Sequence, residues 1–386
     1  MPKGLTMSKT AQIKTKVSDI VGVLESIAPP ALAEKWDNVG LLVGSMDSRA
    51  EKLMLCIDLT QAVLAEAVRT NASMVMAYHP VLFKPVSRVT AQATPMAYEA
   101  ARKGISVYCM HTALDAAKGG TNAVLAEVMG LIDVRPLQAT VSRQNCMIVV
   151  FVPPADATRV TEAAFAAGAG RIGDYFDCSF YVSGTGTFCG GPDTRPAIGR
   201  PLRHESVQEQ RLEMIAPRDR AAAVCDAIRG VHSYEEPAID VYPLEDHPAG
   251  LGMGRIGCFE PAMKLNDLVG RIKKAMGVDK AMLVSAAGEK AKGKGGELVN
   301  VGACCAGAGG SLVSAAISAG ADFFLTGKIR HHDALAAIAG GMNVMCLGHW
   351  TSERIALRSL AQRISAKLPA IDVIISKADR EPFEIV

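Results

Sequence analysis

Residues 53–80 decide how the rest of the chain is read: Leu53-Met54-Leu55-Cys56-Ile57, then Gln61 to Arg69, then Met74-Val75-Met76-Ala77-Tyr78-His79-Pro80. The first and last pieces are continuous apolar runs, the signature of short strands buried on both faces. Between them Val63, Leu64 and Ala67 recur at helical spacing. Strand, helix, strand in that order predicts a sheet covered by helices. Reading outward, 94–102 is predicted as a helix and 105–110 as a strand. A polar loop carrying Asp115 follows, then a helix from about 122 to 129.

The last third repeats this habit. Strands are predicted at 298–303, 322–325 and 344–347, with helices at 311–319 and 332–339 and a long one at 352–367. The middle third differs. Strands at 146–152, 178–188, 208–215 and 238–244, with helices at 155–167 and 218–229, give the order β-α-β-β-α-β of a ferredoxin-like unit. The simplest organisation is one discontinuous α/β domain, residues 12–141 and 251–386, into which residues 142–250 are inserted.

Composition limits the function classes. With 386 residues, 49% hydrophobic and 21% charged, the chain has material for more than one sizeable core and is neither disordered nor a disulfide-stapled miniature. Lys+Arg 41 against Asp+Glu 39 gives +2, so no global field calls for a nucleic-acid partner. Ten cysteines include no Cys-x-x-Cys pair, and most lie in apolar runs, which fits buried thiols in a reducing compartment. No apolar run reaches the roughly 18 residues of a membrane span. The first sixteen residues carry four lysines and no apolar signal core, and read as a loose tail. A cytoplasmic protein without a membrane partner is expected.

Two G-x-G-x-x-G matches, at 168–173 and 252–257, lack the strand-before, helix-after context of a dinucleotide fingerprint and read as tight turns. Gly307-Ala308-Gly309-Gly310-Ser311 lies between a predicted strand and helix, where it either holds an anion or lets strand and helix approach closely.

Histidines gather at predicted strand ends. His79 follows 74–77, His111 follows 105–110 with Asp115 four residues on, and His349 follows 344–347 with Glu353 four residues on. Ligands of open α/β sheets collect at the carboxyl ends of strands. A mixed imidazole and carboxylate set suits zinc, iron, manganese or nickel better than calcium. At a helix amino terminus Glu353 would be held ionised, the form that binds metal. Each residue also has a plainer use: His79 capping a strand, Asp115 fixing a turn, Glu353 answering a helix dipole.

These segments resemble a known family. Trp36-Asp37-Asn38-Val39-Gly40-Leu41, Tyr78-His79-Pro80-Val81-Leu82-Phe83-Lys84, His111 to Asn122, Thr326 to His332 and Gly348-His349-Trp350-Thr351-Ser352-Glu353 are similar to motifs of the Nif-three-like dinuclear metal-centre family, the GTP cyclohydrolase I type 2 homologs. Residues 168–188 and His232-Ser233-Tyr234-Glu235-Glu236-Pro237 resemble the PII- or CutA-like insert of its longer members, with Ser233 in place of a usual proline. The resemblance implies a hexamer whose metal sites face an internal cavity. It implies metal ligands His79, Asp115, His349 and Glu353, with Glu353 bridging two divalent ions in the family and central to catalysis; one or two ions per chain are expected here. Tyr78 replaces the first histidine of the family's His-His pair, which removes a ligand from the second ion. Either His111 or water substitutes for it, or one of the two sites is weak or empty. Lys328, His331 and His332 are candidates for substrate contact. His232, Glu235 and Glu236 form a separate cluster, read mainly as insert contacts.

The implied activity is hydrolysis by metal-activated water of a small substrate, of the nucleotide or phosphorylated class. The alternative is a metal-binding regulatory or sensor assembly without turnover.

Overall fold

The structure is a computed structural model that describes residues 15–140, 145–245, 250–286 and 298–384. The lysine-bearing start of the chain, residues 1–14, lies outside the described residues. The chain divides into two compact units, one of residues 1–140 and 249–386, the other of 141–248. The whole is a mixed α/β protein with several sheets.

The larger unit has two main sheets. In the first, strands lie in the order Gly40–Val43, Ser106–Cys109, Met74–Ala77, Lys52–Cys56 and Asp372–Ile375. The last four are parallel and Gly40–Val43 closes one edge antiparallel. The central strands Lys52–Cys56, Met74–Ala77 and Ser106–Cys109 are almost wholly buried because helices cover both faces, while the two edge strands are half-buried. On one side Val17, Ile20, Val21, Leu24 and Ile27 of the helix Val17–Ile27 share a stripe at helical spacing and meet Leu357, Leu360 and Ile364 of Ala356–Lys367. On the other, Val63, Leu64 and Ala67 of Gln61–Arg69 pack with Ala100 of Pro95–Arg102.

The second sheet runs Met282–Val284, Asn343–Cys346, Phe323–Lys328, Leu298–Ala308, Arg255–Lys264, Ile132–Arg135. Its three central strands, Asn343–Cys346, Phe323–Lys328 and Leu298–Ala308, are parallel, and the outer ones pair antiparallel. The glycine run at 252–257, read as a tight turn, instead lies within the strands Gly252–Met253 and Arg255–Lys264 with a bend at Gly254, and it opens no helix as a nucleotide loop would.

The smaller unit runs Asn145–Val152, Ala157–Ala166, Phe180–Cys189, His204–Pro217, Ala221–Val231, Ile239–Pro243. Numbered within the unit, its strands lie fourth-first-third-second, all neighbours antiparallel, which realises the β-α-β-β-α-β order. Among the described residues no helix is long and apolar enough to cross a membrane. All ten cysteines are free thiols.

Four local expectations change. The helix predicted over 352–367 starts earlier and is broken at Ile355 into His349–Arg354 and Ala356–Lys367. The loop predicted around Asp115 is a short helix, His111–Ala116. The helix predicted from Ser311 begins as a tight 3-10 turn, Gly309–Leu312, before Val313–Ser318. The helices Val17–Ile27 and Leu265–Met276 and the strands Gly40–Val43, Ile132–Arg135 and Asp372–Ile375 are among the elements additional to the predicted ones.

Candidate metal centre

The carboxyl ends of the parallel strands in both sheets of the larger unit deliver the polar groups. Met74–Ala77 runs directly into Tyr78 and His79, Ser106–Cys109 leads to His111, Lys52–Cys56 to Asp58, and Asn343–Cys346 to His349. The site therefore forms where the first sheet's strand ends face the helix His349–Arg354 of the second.

His79, His349 and Glu353 come together there, with ligand-type atoms all within 4.8 Å of one another. The Glu353 carboxylate lies between two imidazoles, with Oε2 3.2 Å from His79 Nε2 and Oε1 3.1 Å from His349 Nε2. Yet Glu353 Oε2 and His349 Nδ1 are buried with no hydrogen bond, so the contact at Oε2 is close but misaligned. A buried carboxylate oxygen left unsatisfied costs free energy. Its orientation makes sense when a cation sits among the three groups, and their mixed imidazole and carboxylate chemistry fits a borderline divalent ion.

Carboxylates stand behind two of the imidazoles. His79 Nδ1 bonds Asp58 at 2.9 Å and His111 Nδ1 bonds Asp37 at 2.7 Å. Such a partner fixes the ring and turns the other nitrogen inward. Burial would lower the His79 pKa, but contact with Asp58 and Glu353 raises it to about 10. Burial would raise the Glu353 pKa, and His349 and His79 hold it below the usual value. That stabilisation replaces the helix-dipole argument, because Glu353 is the fifth residue of a six-residue helix and lies at its carboxyl end. For Asp37, burial is outweighed by His111 and Thr112, which hold it down to about 2.

Asp115 does not join the group of three. It is buried, and its carboxylate accepts a hydrogen bond from the Tyr78 phenol, which also lies 3.1 Å from Thr121 Oγ1. Burial pushes the Asp115 carboxyl up to about 6, although the Tyr78 hydrogen bond pulls the other way. Burial, together with the Asp115 and Glu353 charges, keeps Tyr78 a neutral phenol, its pKa raised well above 10. His111 stands beside the site, its ring centroid 5.2 Å from that of His79, and belongs to the Asp37 pair.

The glycine turn serves the site by close approach. Gly307 has φ +64°, and a Cβ there would fall 2.4 Å from Glu353 Oε1. Its amide donates to Ser352 Oγ at 2.9 Å and the Gly309 amide to Thr326 Oγ1 at 3.1 Å, so these two amides are already committed and do not form an anion cradle. His331 and His332 are exposed at the start of His331–Ala339, and Lys328 is exposed at the end of its strand; none joins the group of three. In the insert, His232 Nε2 bonds the Phe151 carbonyl and Nδ1 accepts from the Tyr234 amide, while Glu235 accepts from the Arg195 amide.

Two residues were not singled out from the sequence. Asp58 follows a predicted strand directly, the same signal that marked His79. Asp379 accepts from the Ile57 amide at 2.9 Å and from Trp350 Nε1 at 3.0 Å, and it pairs with Arg354. It ties the end of the chain to the site, and no local pattern marks it.

The Duf34/NIF3 (NGG1p interacting factor 3) family profile matches residues 15–382. The chain is 31% identical over 376 residues to the GTP cyclohydrolase 1 type 2 homolog of Halalkalibacterium halodurans, covering 95% of this chain and 98% of that one. It is 35% identical over 350 residues to the homolog of the same name from Mycobacterium tuberculosis, covering 88% and 89%. Among solved structures, the Bacillus cereus protein related to NIF3 superposes with a TM-score of 0.70 at 31% identity, covering 96% of this chain and 99% of that one. Staphylococcus aureus protein SA1388 superposes at 0.80 with 25% identity, covering 97% and 100%. A family match over nearly the whole described chain, with relatives above 30% identity along almost their full length, establishes that the chain belongs to the Duf34/NIF3 family.

Proposed function

We propose that the protein is a metal-dependent hydrolase acting on a small substrate of the nucleotide or phosphorylated class. One observation carries this reading: a buried carboxylate lies between two imidazoles while its Oε2 makes no hydrogen bond. His79, His349 and Glu353 would hold the ion. Asp58 orients His79, and Ser352 fixes the helix turn by donating to the His349 carbonyl at 2.8 Å. A divalent ion supplies an acidified water and polarises the bond to be cleaved. The rest of the coordination sphere is left to water and substrate, as a catalytic site requires. The relatives' shared name favours a purine nucleotide as substrate.

The resemblance implies two ions, but we propose one ion per chain, because the Asp115 carboxylate is engaged by Tyr78. The test is phosphoester and nucleotide hydrolysis by protein purified without chelator. Activity should disappear in Glu353→Gln and His349→Ala and return to the wild-type protein when divalent ions are restored after chelation. Turnover that survives both substitutions would overturn the reading.

A second reading, a sensor without turnover, is favoured by the insert. It carries its own cavity of about 410 Å³, lined by Phe151, Phe188, Ile198, Glu209 and Tyr234. We take the insert as PII- or CutA-like. Its edge strand, Phe180–Cys189, exposes Phe180, Tyr181 and Val182, a surface suited to self-association into the homo-hexamer that the resemblance implies. Ten free thiols are in keeping with a cytoplasmic location.

A further inference from the structure

Beside His79 a cavity of about 610 Å³ opens, within the size range of small-molecule sites, roughly 300–1,000 Å³. Asp58 and His79 line it. Phe83 and Met96 give apolar surface, and Lys84 and Arg380 add two cations. Asp58, its one carboxylate, is already paired with His79 Nδ1. Lys84 and Arg380, both exposed, line the same opening, and among the described residues neither has a carboxylate within 4.0 Å.

Contacts of neighbouring residues fix the backbone on either side of the opening, from which the exposed Lys84 and Arg380 side chains extend. Asn38 Nδ2 donates to the Leu82 carbonyl at 2.5 Å and Trp36 lies against Phe83, centroids 5.9 Å apart, which fixes the segment leading to Lys84. Arg380 follows Asp379, whose carboxylate is bonded to Ile57, Trp350 and Arg354. Just upstream, Glu66 accepts from Ser376 Oγ and from the amides of Lys377 and Ala378. Residues 376–379 are thus tied down just before Arg380, whose side chain lines the cavity.

We propose that this cavity binds a phosphate monoester with an apolar or planar body, its phosphate held by Lys84 and Arg380 and its body lying against Phe83 and Met96. A phosphate monoester carries about −1.5 to −2 charges at neutral pH, which two cations match better than they match a single carboxylate. Charge-assisted contacts from Arg and Lys give such a group both attraction and orientation. The inference rests on the hydrolase reading only for the fate of the bound molecule; binding itself is independent of it.

The test is calorimetric titration of the full-length protein with phenyl phosphate, as purified and after chelation, alongside metal analysis of the same samples. Lys84→Gln and Arg380→Gln should each weaken binding by about tenfold, as loss of one charge-assisted contact implies, and leave metal content per chain unchanged. Phenol should bind far more weakly than phenyl phosphate, and added salt should weaken the phosphate ligand. Unaltered affinity in both variants would overturn the proposal, as would binding abolished by chelation alone, because the anion would then sit on the ion. Phenyl phosphate bound by a protein that never takes up metal would refute the hydrolase reading and leave this one standing. Metal bound without phenyl phosphate would do the reverse.

Discussion

The phenol of Tyr78 donates to the carboxylate of Asp115, with both side chains buried beside the candidate metal centre. The pair occupies the place where the sequence resemblance puts a histidine and a metal-binding carboxylate. It leaves His79, His349 and Glu353 as a group of three, a ligand set sufficient for a single ion with open positions.

Replacing Tyr78 by Phe removes the donor and leaves a buried carboxylate short of a partner. Tyr78→Phe should therefore destabilise the protein by about 1–3 kcal/mol, read as a lower urea midpoint at unchanged m. A midpoint equal to wild type would mean that the pair is not formed in solution.

Gly307→Ala places a methyl group 2.4 Å from Glu353 Oε1 at a backbone φ of +64°. The strain is of order 1 kcal/mol, and the displaced carboxylate matters more. Metal affinity should fall by at least about tenfold while the folded structure, judged by circular dichroism, persists. Wild-type affinity in this variant would show that Glu353 is not a ligand in the position described.

Glu66, which is not among the group of three, gives a separate pH signature. Burial would raise its pKa, but the Ser376 hydroxyl and the Ala378 and Lys377 amides hold it below 4.5. A carboxyl depressed on folding contributes its stabilisation fully above its unfolded pKa and loses it as pH falls through the folded value. Glu66→Gln should thus cost about 1–3 kcal/mol at pH 7, with the difference from wild type shrinking as the pH falls below 4.5. Denaturation midpoints at pH 7 and pH 3 measure this, and a gap that widens in acid would contradict it.

Much of this architecture is legible locally, and the remainder fails for physical reasons. Short apolar runs such as Met74–Ala77 and Asn343–Cys346 declare buried parallel strands, and a histidine just beyond each one is visible at once. What the sequence hides is partnership across distance. Tyr78 and Asp115 are 37 residues apart, and Glu66 and Ser376 are 310 apart. No periodicity reports such pairs. The break at Ile355 is equally silent, because Ser352–Glu353–Arg354 and the following residues are all compatible with one helix. The glycines at 307–310 were ambiguous between holding an anion and permitting close approach. Gly307 is decided by the nearness of Glu353, while Gly307 and Gly309 both donate their amides to side chains of the site.

Elemental mass spectrometry on protein purified without chelator counts the ions that His79, His349 and Glu353 hold. A single ion held by these three residues means close to one divalent ion per chain in the wild type and almost none in His349→Ala or Glu353→Gln, with all three proteins folded. Two ions per chain, or an ion retained in both variants, or no uptake by the wild type even after reconstitution, would contradict it.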